Sequence, residues 1–286
     1  MRGFISFNGK IIDETDPVIG STDHSYRYGD GLFETMKIQD GRILYLSYHI
    51  ERLFTGLKVL RFAIPPFFTE QTIAGGILEL CKKNQCEGSA RARLSVSRGN
   101  GGLYDCDNNF SWLIECWPLK TSGLNENGLI IDVFPEARKA IDVFSNLKSA
   151  NYLPYVMGAV WAKENQLNDA LILNSHDRIC DATIANIFWV KEGKLFTPPL
   201  SEGCVAGVMR RRVLDLRLQI AARIAIGVGF EIEESVLSEK TLLEADEAFL
   251  TNVTSGIRWV KQFRNKTYSN SIVSKVFAVT DRTKWQ

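Results

Sequence analysis

The order of strand-like and helix-like patterns is the feature that most limits how this chain can fold. The stretches FISFNGKIIDE and GLFETMKIQDGRILYL alternate around Asn8-Gly9 and Asp40-Gly41, so each predicts a β-hairpin. The next stretch, YLSYHIERLFTGLKVLRF, carries apolar residues every three or four positions and predicts an amphipathic helix. This alternation continues along the chain and favours a mixed α/β (α+β) fold.

A polar, glycine-rich stretch at 120–128, KTSGLNENG, predicts a linker between two domains. We expect a smaller N-terminal α/β domain over 1–119 and a larger C-terminal α/β domain over 129–286. A chain of 286 residues is long enough for two domains with cores of their own.

Beyond the linker, the sequence predicts further strands and helices. DALILN and NIFWV are expected to be strands around a turn at 175–177, and FEIEESVL another strand. A long helix is expected to begin after Gly207 and to run through VMRRRVLDLRLQIAARI. Ser238 is a predicted N-cap for a short helix that reaches Ala245.

Composition excludes several kinds of partner. The 34 basic and 33 acidic residues nearly cancel, so no broad field is expected to hold nucleic acid or anionic lipid. No apolar run approaches the roughly 20 residues that span a bilayer, and the first residues meet charge too early for a signal peptide. The six cysteines form no CxxC pair and only three histidines are present, so no metal site is predicted. Scattered cysteines without a leader indicate reduced thiols and a cytoplasmic location.

Lys148 is the first candidate for chemistry. It lies in SNLKSANYLPYV, among apolar and small polar residues. A lysine in a partly apolar pocket has a lowered pKa, and its neutral amine can form a Schiff base with an aldehyde. The alternative is a surface lysine with its stem covered and its ammonium in water.

Asp181 is the second candidate, in RICDATIANIFWV. An acidic residue before a small-residue turn and a buried strand can face a site rather than solvent. If the aldehyde that Lys148 binds is pyridoxal phosphate, a carboxylate there can pair with its ring nitrogen. The alternative is a turn aspartate that bonds backbone amides.

Two loops and several arginines are candidates for binding anions. Gly207 precedes a helix, so the amides of Val208 and Met209 can face a phosphate, although the feature is also that of any helix start. Thr254 can add a hydroxyl from a second loop. Arg52 lies beside the apolar stripe of the first helix and is a candidate phosphate ligand, or else a solvated surface residue. Three arginines without acidic partners nearby in sequence indicate a second anion, such as a substrate carboxylate: Arg91, Arg93 and Arg98.

Taken in order, these residues resemble the class IV family of pyridoxal-phosphate-dependent aminotransferases. The motifs that carry the resemblance run through nearly the whole chain: YGDGLFET, HIERL, RLSVSRGNGG, LKSANYL, ANIFWV, TPPL, GVMR and LEADEAFLTN. The family includes branched-chain aminotransferases, D-amino acid aminotransferases and 4-amino-4-deoxychorismate lyases. The resemblance implies two domains with the cofactor between them, and a homodimer in which the partner completes each site.

The resemblance also implies roles for single residues. Lys148 matches the Schiff-base lysine, Tyr152 the tyrosine at the cofactor's phenolic oxygen, and Arg52 the phosphate arginine. Val208 and Met209 match the amides beneath the phosphate, Asn186 matches a structural asparagine, and Arg93, Arg98 and Tyr28 are implied for substrate binding. Which of the two arginines holds the carboxylate stays open.

The chain departs from the family pattern at three positions. Asp181 stands where glutamate is usual, Met209 where many transaminases have threonine, and Val253 removes another hydroxyl. The first reading is a transaminase that moves an amino group between a branched-chain or D-amino acid and a 2-oxo acid. Two alternatives stay open: a lyase that releases pyruvate and 4-aminobenzoate, and a cofactor-binding relative without turnover.

Overall fold

A computed structural model describes residues 3–120, 123–216 and 231–282. By its internal contacts the chain divides into two compact units. The first contains the described residues up to 120 together with the segment Leu147–Tyr152, and the second contains the remaining described residues. The segment Leu147–Tyr152 thus joins the first unit although it lies beyond the predicted linker.

The first unit is built on a six-stranded antiparallel sheet in the order β2-β1-β6-β5-β3-β4. Both predicted hairpins are present, and Asn8, Gly9, Asp40 and Gly41 all take positive φ angles, as the tight turns of twisted hairpins require. The strands are β1 (Phe4–Phe7), β2 (Lys10–Asp13), β3 (Gly31–Gln39), β4 (Arg42–Ile43), β5 (Ser89–Ser97) and β6 (Ser111–Pro118).

The helices of this unit are α1 (His24–Tyr28), α2 (Leu46–Val59) and α3 (Glu70–Lys83). The predicted apolar stripe of α2 is buried at Leu53 and Leu57, which pack with residues of the sheet and of α3 in one core cluster. Helix α2 ends where Arg61 takes a positive φ of 56° and the Phe62 amide donates to the Leu57 carbonyl at 2.9 Å. Thr69 is the N-cap of helix α3, and its hydroxyl accepts from the Thr72 amide.

The second unit is built on a mixed sheet in the order β12-β11-β10-β13-β14-β7-β8-β9, with β15 paired to β14. Strands β8 and β10 are buried along almost their whole length, in keeping with their near-continuous apolar sequences. The strands are β7 (Leu129–Lys139), β8 (Asp169–Asn174), β9 (Ile179–Ala182), β10 (Asn186–Lys191), β11 (Lys194–Thr197), β12 (Ile232–Glu234), β13 (Glu247–Asn252), β14 (Gly256–Phe263) and β15 (Lys266–Thr267).

The helices of the second unit are α4 (Leu153–Glu164), α5 (Val208–Asp215), α6 (Glu239–Leu243) and α7 (Ser271–Arg282). Helix α5 begins after Gly207 as predicted, while the predicted continuation over 217–224 lies outside the described residues, as does Phe230 at the start of FEIEESVL. Ser238 caps α6 as predicted, by accepting from the Thr241 amide. Among the described residues, no helix combines the length and the apolar character needed to cross a membrane.

Truncating the buried face of α2 tests this packing. Leu57 is fully buried, whereas Val59 on the same helix is 40% exposed. We expect Leu57→Ala to lower the free energy of unfolding by about 2–5 kcal/mol, because it removes buried methyl groups and leaves a cavity. The control Val59→Ala is expected to change it by no more than about 0.5 kcal/mol. Urea unfolding of both variants checks this, and equal effects would contradict the assigned face.

Candidate active site

Backbone pairing fixes the position of the segment Leu147–Tyr152. The Phe33 amide donates to the Lys148 carbonyl at 2.9 Å, and the Ala150 amide donates to the Gly31 carbonyl at 2.8 Å. Ser149 forms an antiparallel bridge with Leu32. Lys148 is therefore attached to the beginning of β3 by main-chain hydrogen bonds.

The side chain of Lys148 lies against aromatic rings. Its Nζ is 4.3 Å from the ring centre of Phe33 and 5.5 Å from that of Tyr152, and the two rings meet edge to face. The guanidinium of Arg93 stacks on the same Phe33 ring at 3.8 Å. The structure thus brings together three of the predicted residues, Lys148, Tyr152 and Arg93, around Phe33.

Glu34, the residue after Phe33 on β3, carries a buried carboxylate. Glu34 is 1% exposed, and its Oε2 lies 2.6 Å from His49 Nδ1. Arg52 binds both oxygens of the same carboxylate, with Nε 2.8 Å from Oε1 and Nη2 2.6 Å from Oε2. A bidentate, charge-assisted pair of this kind is among the strongest hydrogen-bonded arrangements in proteins.

This environment determines the ionisation of Glu34. Burial raises the pKa of its carboxyl, but the charges of Arg52 and His49 and their hydrogen bonds outweigh burial and lower it to about 2. Burial is also the largest cause that lowers the pKa of His49, and the nearby charges of Arg52 and Lys148 lower it further. Neutral His49 then donates from Nδ1 to Glu34, while its Nε2 has no hydrogen-bond partner in the described part of the chain.

Arg52 and Arg98 both have acidic partners that the sequence did not reveal. Arg98 pairs with Asp30 through Nε at 2.6 Å and Nη2 at 3.1 Å, and it also donates to the carbonyls of Leu60 and Arg61. Arg98 has no acidic partner nearby in sequence, as stated above, but the fold supplies one in Asp30, 68 residues away. The substrate role of Arg98 and the phosphate role of Arg52 stay predictions that must coexist with these ion pairs.

The two remaining candidates in the first unit, Tyr28 and Arg91, contact other aromatic rings. Tyr28 ends α1, is 45% exposed and packs edge to face on His24 at 4.9 Å. Arg91 stacks on Trp117 at 4.7 Å between ring centre and Cζ. Arg91 and Arg93 are therefore engaged with different aromatic rings.

In the second unit, Asp181 is the centre of a buried hydrogen-bond cluster. Its Oδ2 accepts from the Val205 amide at 2.9 Å, from the Tyr155 hydroxyl at 2.8 Å and from Lys139 Nζ at 3.2 Å. Its Oδ1 accepts from Asn186 Nδ2 at 2.9 Å. Asn186 also donates to the Val205 carbonyl, so this side chain contacts both the carboxylate and the loop before α5.

Asp181 belongs to strand β9 and is 1% exposed. The alternative of a turn aspartate is therefore wrong, and the short strand β9 was missed because its four residues, ICDA, are buried throughout and show no alternation. Burial raises the pKa of Asp181, whereas the charge of Lys139 and the hydrogen bonds from Val205 and Tyr155 lower it.

The predicted phosphate loops lie near this cluster within the second unit. Gly207 is the N-cap of α5 and no side chain caps that helix, whose first residues are Val208 and Met209. A Cβ on Gly207 would lie 1.8 Å from Asn186 Oδ1, so only glycine fits beside this asparagine. Thr254 donates to Asn252 Oδ1 at 2.9 Å in the turn after β13.

Sequence reasoning missed six residues of these clusters: Phe33, Glu34, His49, Lys139, Tyr155 and Val205. Phe33 and Glu34 are part of YGDGLFET and His49 opens HIERL, so the motifs contained a signal for them. Lys139 lies 42 residues before Asp181, and no local pattern connects the two.

Comparisons with known proteins agree with the resemblance seen in the sequence. The model of the amino-transferase class IV family matches residues 31–263. The putative branched-chain-amino-acid aminotransferase of Methanocaldococcus jannaschii is 31% identical, covering 98% of this chain and 97% of that protein. The aminodeoxychorismate lyase of Vibrio harveyi is 30% identical, covering 82% of this chain and 83% of that protein. The pyridoxal-phosphate form of the branched-chain aminotransferase from Thermobaculum terrenum has a TM-score of 0.84 at 22% identity, over 99% of this chain and 94% of that chain.

The chain therefore belongs to the class IV aminotransferase family and is an enzyme of that family. The predicted mixed α/β fold of the family is confirmed by the likeness to the solved aminotransferase. The relatives named as aminotransferases and as lyases show that the family covers more than one reaction.

Replacing Arg52 tests the environment of Glu34. Because the folded pKa of about 2 lies below the ordinary 4.5, ionised Glu34 stabilises the fold above about pH 4.5, and this contribution is lost as the pH falls towards 2. It amounts to roughly 3 kcal/mol. We expect Arg52→Met to raise the Glu34 pKa, because burial is then opposed by His49 alone.

Carbon-13 NMR of the Glu34 carboxyl measures this directly. The wild-type carboxyl is expected to stay ionised at pH 3.5, and that of Arg52→Met to become protonated at a higher pH. Arg91→Met is the matched control, since Arg91 stacks on Trp117 instead. An unchanged Glu34 titration in Arg52→Met would contradict the assigned cause.

Proposed function

We propose that this chain uses pyridoxal phosphate to transfer an amino group between an amino acid and a 2-oxo acid. The observation that carries the proposal is the pair of cations on one aromatic ring, with Lys148 Nζ at 4.3 Å and Arg93 Cζ at 3.8 Å from the centre of Phe33. An amino acid substrate needs a base near its α-carbon and a cation for its carboxylate. The amine of Lys148 would be the base, and the guanidinium of Arg93 would bind the carboxylate.

The chemistry of the described residues fits the cofactor. Lys148 would bind its aldehyde carbon through Nζ, Tyr152 its phenolic oxygen, and Asp181 its ring nitrogen. Arg52, the amides of Val208 and Met209, and Thr254 would bind its phosphate. Two observations support an anion near α5: no side chain caps this helix, and Thr251 Oγ1, buried on β13 opposite Asn186, has no hydrogen-bond partner among the described residues.

When bound, pyridoxal phosphate supplies an aldehyde that captures the substrate amine and a ring that accepts electrons from the α-carbon. Lys148 Nζ removes the proton from the substrate α-carbon and later returns one, a role that needs a neutral amine near pH 7. Arg93 binds the substrate carboxylate and orients the α-carbon towards Lys148. Phe33 and Tyr152 cover the amine with apolar surface.

Asp181 holds a proton at the cofactor's ring nitrogen. It is buried and has Lys139 Nζ at 3.2 Å, so a bound ring nitrogen would share the carboxylate with Lys139. A carboxylate has about four acceptor sites, and the described donors to Asp181 are also four. Lys139 is the donor that we expect to move when the ring nitrogen binds, because it is at the end of a flexible side chain.

The second candidate function is the release of pyruvate and 4-aminobenzoate from 4-amino-4-deoxychorismate. The observation that favours it is the 30% identity to an aminodeoxychorismate lyase. The 31% identity to an aminotransferase over nearly the whole chain supports the first candidate. Both reactions would use the same lysine as the base, so the substrate separates them. A homodimer and a cytoplasmic location stay predictions.

Titration with amino donors tests the proposed function. Protein loaded with pyridoxal phosphate is mixed in turn with L-leucine, L-glutamate and D-alanine while its absorption spectrum is recorded. We expect one donor to convert the cofactor to its pyridoxamine form, with release of the matching 2-oxo acid. If no donor is consumed and 4-amino-4-deoxychorismate yields pyruvate, the chain is a lyase. A protein that consumes none of these compounds would contradict both functions.

Lys148→Ala tests whether Lys148 is the residue that binds the cofactor covalently. Lys139→Ala is the matched control, because Lys139 contacts Asp181. After borohydride reduction, mass spectrometry is expected to find the cofactor attached to Lys148 in the wild type and in Lys139→Ala, and no attachment in Lys148→Ala. Covalent cofactor together with full turnover in Lys148→Ala would show that another residue has this role.

Asp181→Asn tests the ring-nitrogen assignment. We expect the cofactor to stay covalently bound, while exchange of the substrate α-proton with deuterated water slows by about 10²–10⁴-fold. Asp169→Asn is the matched control, because Asp169 is a buried carboxylate on neighbouring β8 that accepts from Thr183 instead. Exchange at the wild-type rate in Asp181→Asn would mean that another group protonates the ring.

A further inference from the structure

Three cysteines that are separated in sequence meet in the first unit. Cys81 lies on α3, Cys86 follows that helix, and Cys116 lies on β6. Their sulfur atoms all lie within 4.8 Å of one another, and those of Cys86 and Cys116 are 3.7 Å apart. All three side chains are buried. The spacing of the cysteines predicted no metal site, because the residues are brought together by the fold and not by a short motif.

The cluster is held by contacts other than those among the thiols. The Cys86 amide donates to the Cys81 carbonyl at 2.9 Å, in a turn where Gln85 takes a positive φ of 54°. Asn84 bonds both backbone groups of Phe4, and its amide also donates to Cys116 Sγ at 3.3 Å. Helix α3, its C-terminal turn and strand β1 therefore position the sulfurs before any ligand binds.

The hydrogen bonds in the cluster converge on one sulfur. Hydrogen bonds from Cys81, Asn84 and Cys86 outweigh burial and lower the pKa of Cys116 to about 6. The same contacts raise the pKa of Cys81, and mainly burial raises that of Cys86 to about 11. The three sulfurs therefore already converge on one small region, as the ligands of a single ion must.

We propose that Cys81, Cys86 and Cys116 form a binding site for one soft, thiophilic metal ion of low coordination number, with Cu(I) as the best match. At a metal–sulfur distance of about 2.3 Å, a trigonal site places its sulfurs about 4.0 Å apart. The observed separations need changes of less than about 1 Å to reach this geometry. Three sulfur ligands select soft ions over Mg²⁺ or Ca²⁺.

A three-coordinate ion fits better than zinc. Structural zinc sites have four protein ligands. Asn84 is the polar side chain in contact with Cys116, and its oxygen and nitrogen are already used by Phe4 and Cys116. On binding Cu(I), three sulfur–metal bonds form, each thiol that becomes a thiolate ligand releases its proton to solvent, and no electron is transferred. Binding therefore strengthens as the pH rises.

The site is separate from the proposed catalytic residues of the same sheet. Glu115 and Cys116 are consecutive on β6, so their side chains point to opposite faces of the sheet. Glu115 is paired in register with Arg93, whereas Cys116 is paired with Ala92. Metal bound by the three cysteines would tie α3 to β6 and stabilise the first unit.

The test uses the full chain loaded with pyridoxal phosphate under anaerobic conditions. Cu(I) is supplied as its complex with the chromogenic chelator bathocuproine disulfonate, and the loss of colour measures transfer to the protein. We expect one equivalent to be taken up, the thermal midpoint to rise, and Cu-edge X-ray absorption of the wild type to show three sulfurs at about 2.3 Å.

Variants assign the uptake to these cysteines. Cys116→Ala and Cys86→Ala are each expected to weaken Cu(I) binding by more than about 100-fold. Cys106→Ser, at a half-buried cysteine outside the cluster, is the matched control and is expected to bind as the wild type does. No uptake by the wild type, nitrogen or oxygen ligands in its spectrum, or full binding by folded Cys116→Ala would overturn the proposal. The spectrum of the wild type keeps the test decisive if a variant does not fold.

Discussion

The main-chain hydrogen bonds between Leu147–Tyr152 and the start of β3 are the interaction on which the candidate chemistry depends. Lys148 lies in neither a helix nor a strand of the sheet, and these bonds give its segment a defined place beside β3. They involve only backbone atoms, and the amine of Lys148 lies against the aromatic rings of Phe33 and Tyr152. Strand β3 carries Phe33 and pairs with the Lys148 segment on one side and with β5, which carries Arg93, on the other. This pairing brings the three side chains together.

Two buried carboxylates show how charge and burial compete in this protein. Burial raises the pKa of both Glu34 and Asp181, but Glu34 faces a bidentate guanidinium and an imidazole, and its pKa falls to about 2. Asp181 has one ammonium at 3.2 Å and hydrogen bonds from neutral groups, and its pKa remains raised. Glu34 is thus an anion that binds Arg52, whereas a further positive charge beside Asp181 would favour the ionised form of its carboxyl.

Side chains alternate between the two faces of the sheet in the first unit, so Arg93 and Cys116 lie on opposite faces. Arg93 stacks on Phe33, next to Lys148, while the neighbouring residues Ala92 and Cys116 are buried among the core residues that α3 covers. Since successive residues of a strand face opposite sides, a thiol cluster and an amine can be supported by the same strands without contact. For the same reason, α2 and α3 can pack against one set of alternating strand residues, while Phe33 and Arg93 occupy the alternate positions.

The sequence by itself determined the features that have a local period or a local motif. The spacing of Leu53 and Leu57 predicted α2, the pairs Asn8-Gly9 and Asp40-Gly41 predicted both hairpins, and Ser238 predicted the start of α6. The family motifs likewise pointed to Lys148 and Asp181 as candidates. The helix, hairpin and cap predictions succeed because a helical face or a tight turn is decided by residues a few positions apart, whereas the roles of Lys148 and Asp181 stay predictions.

Only the tertiary structure decided which distant groups meet. Asp30 pairs with Arg98 across 68 residues, Lys139 with Asp181 across 42, and Cys86 with Cys116 across 30. Strand β9 also became visible only in the fold, because burial on both faces removes the alternation that marks a strand. Such contacts have no period to read, since they arise when strands and helices pack, and they are the contacts that determine whether a cation, a carboxylate or a thiol is available for chemistry.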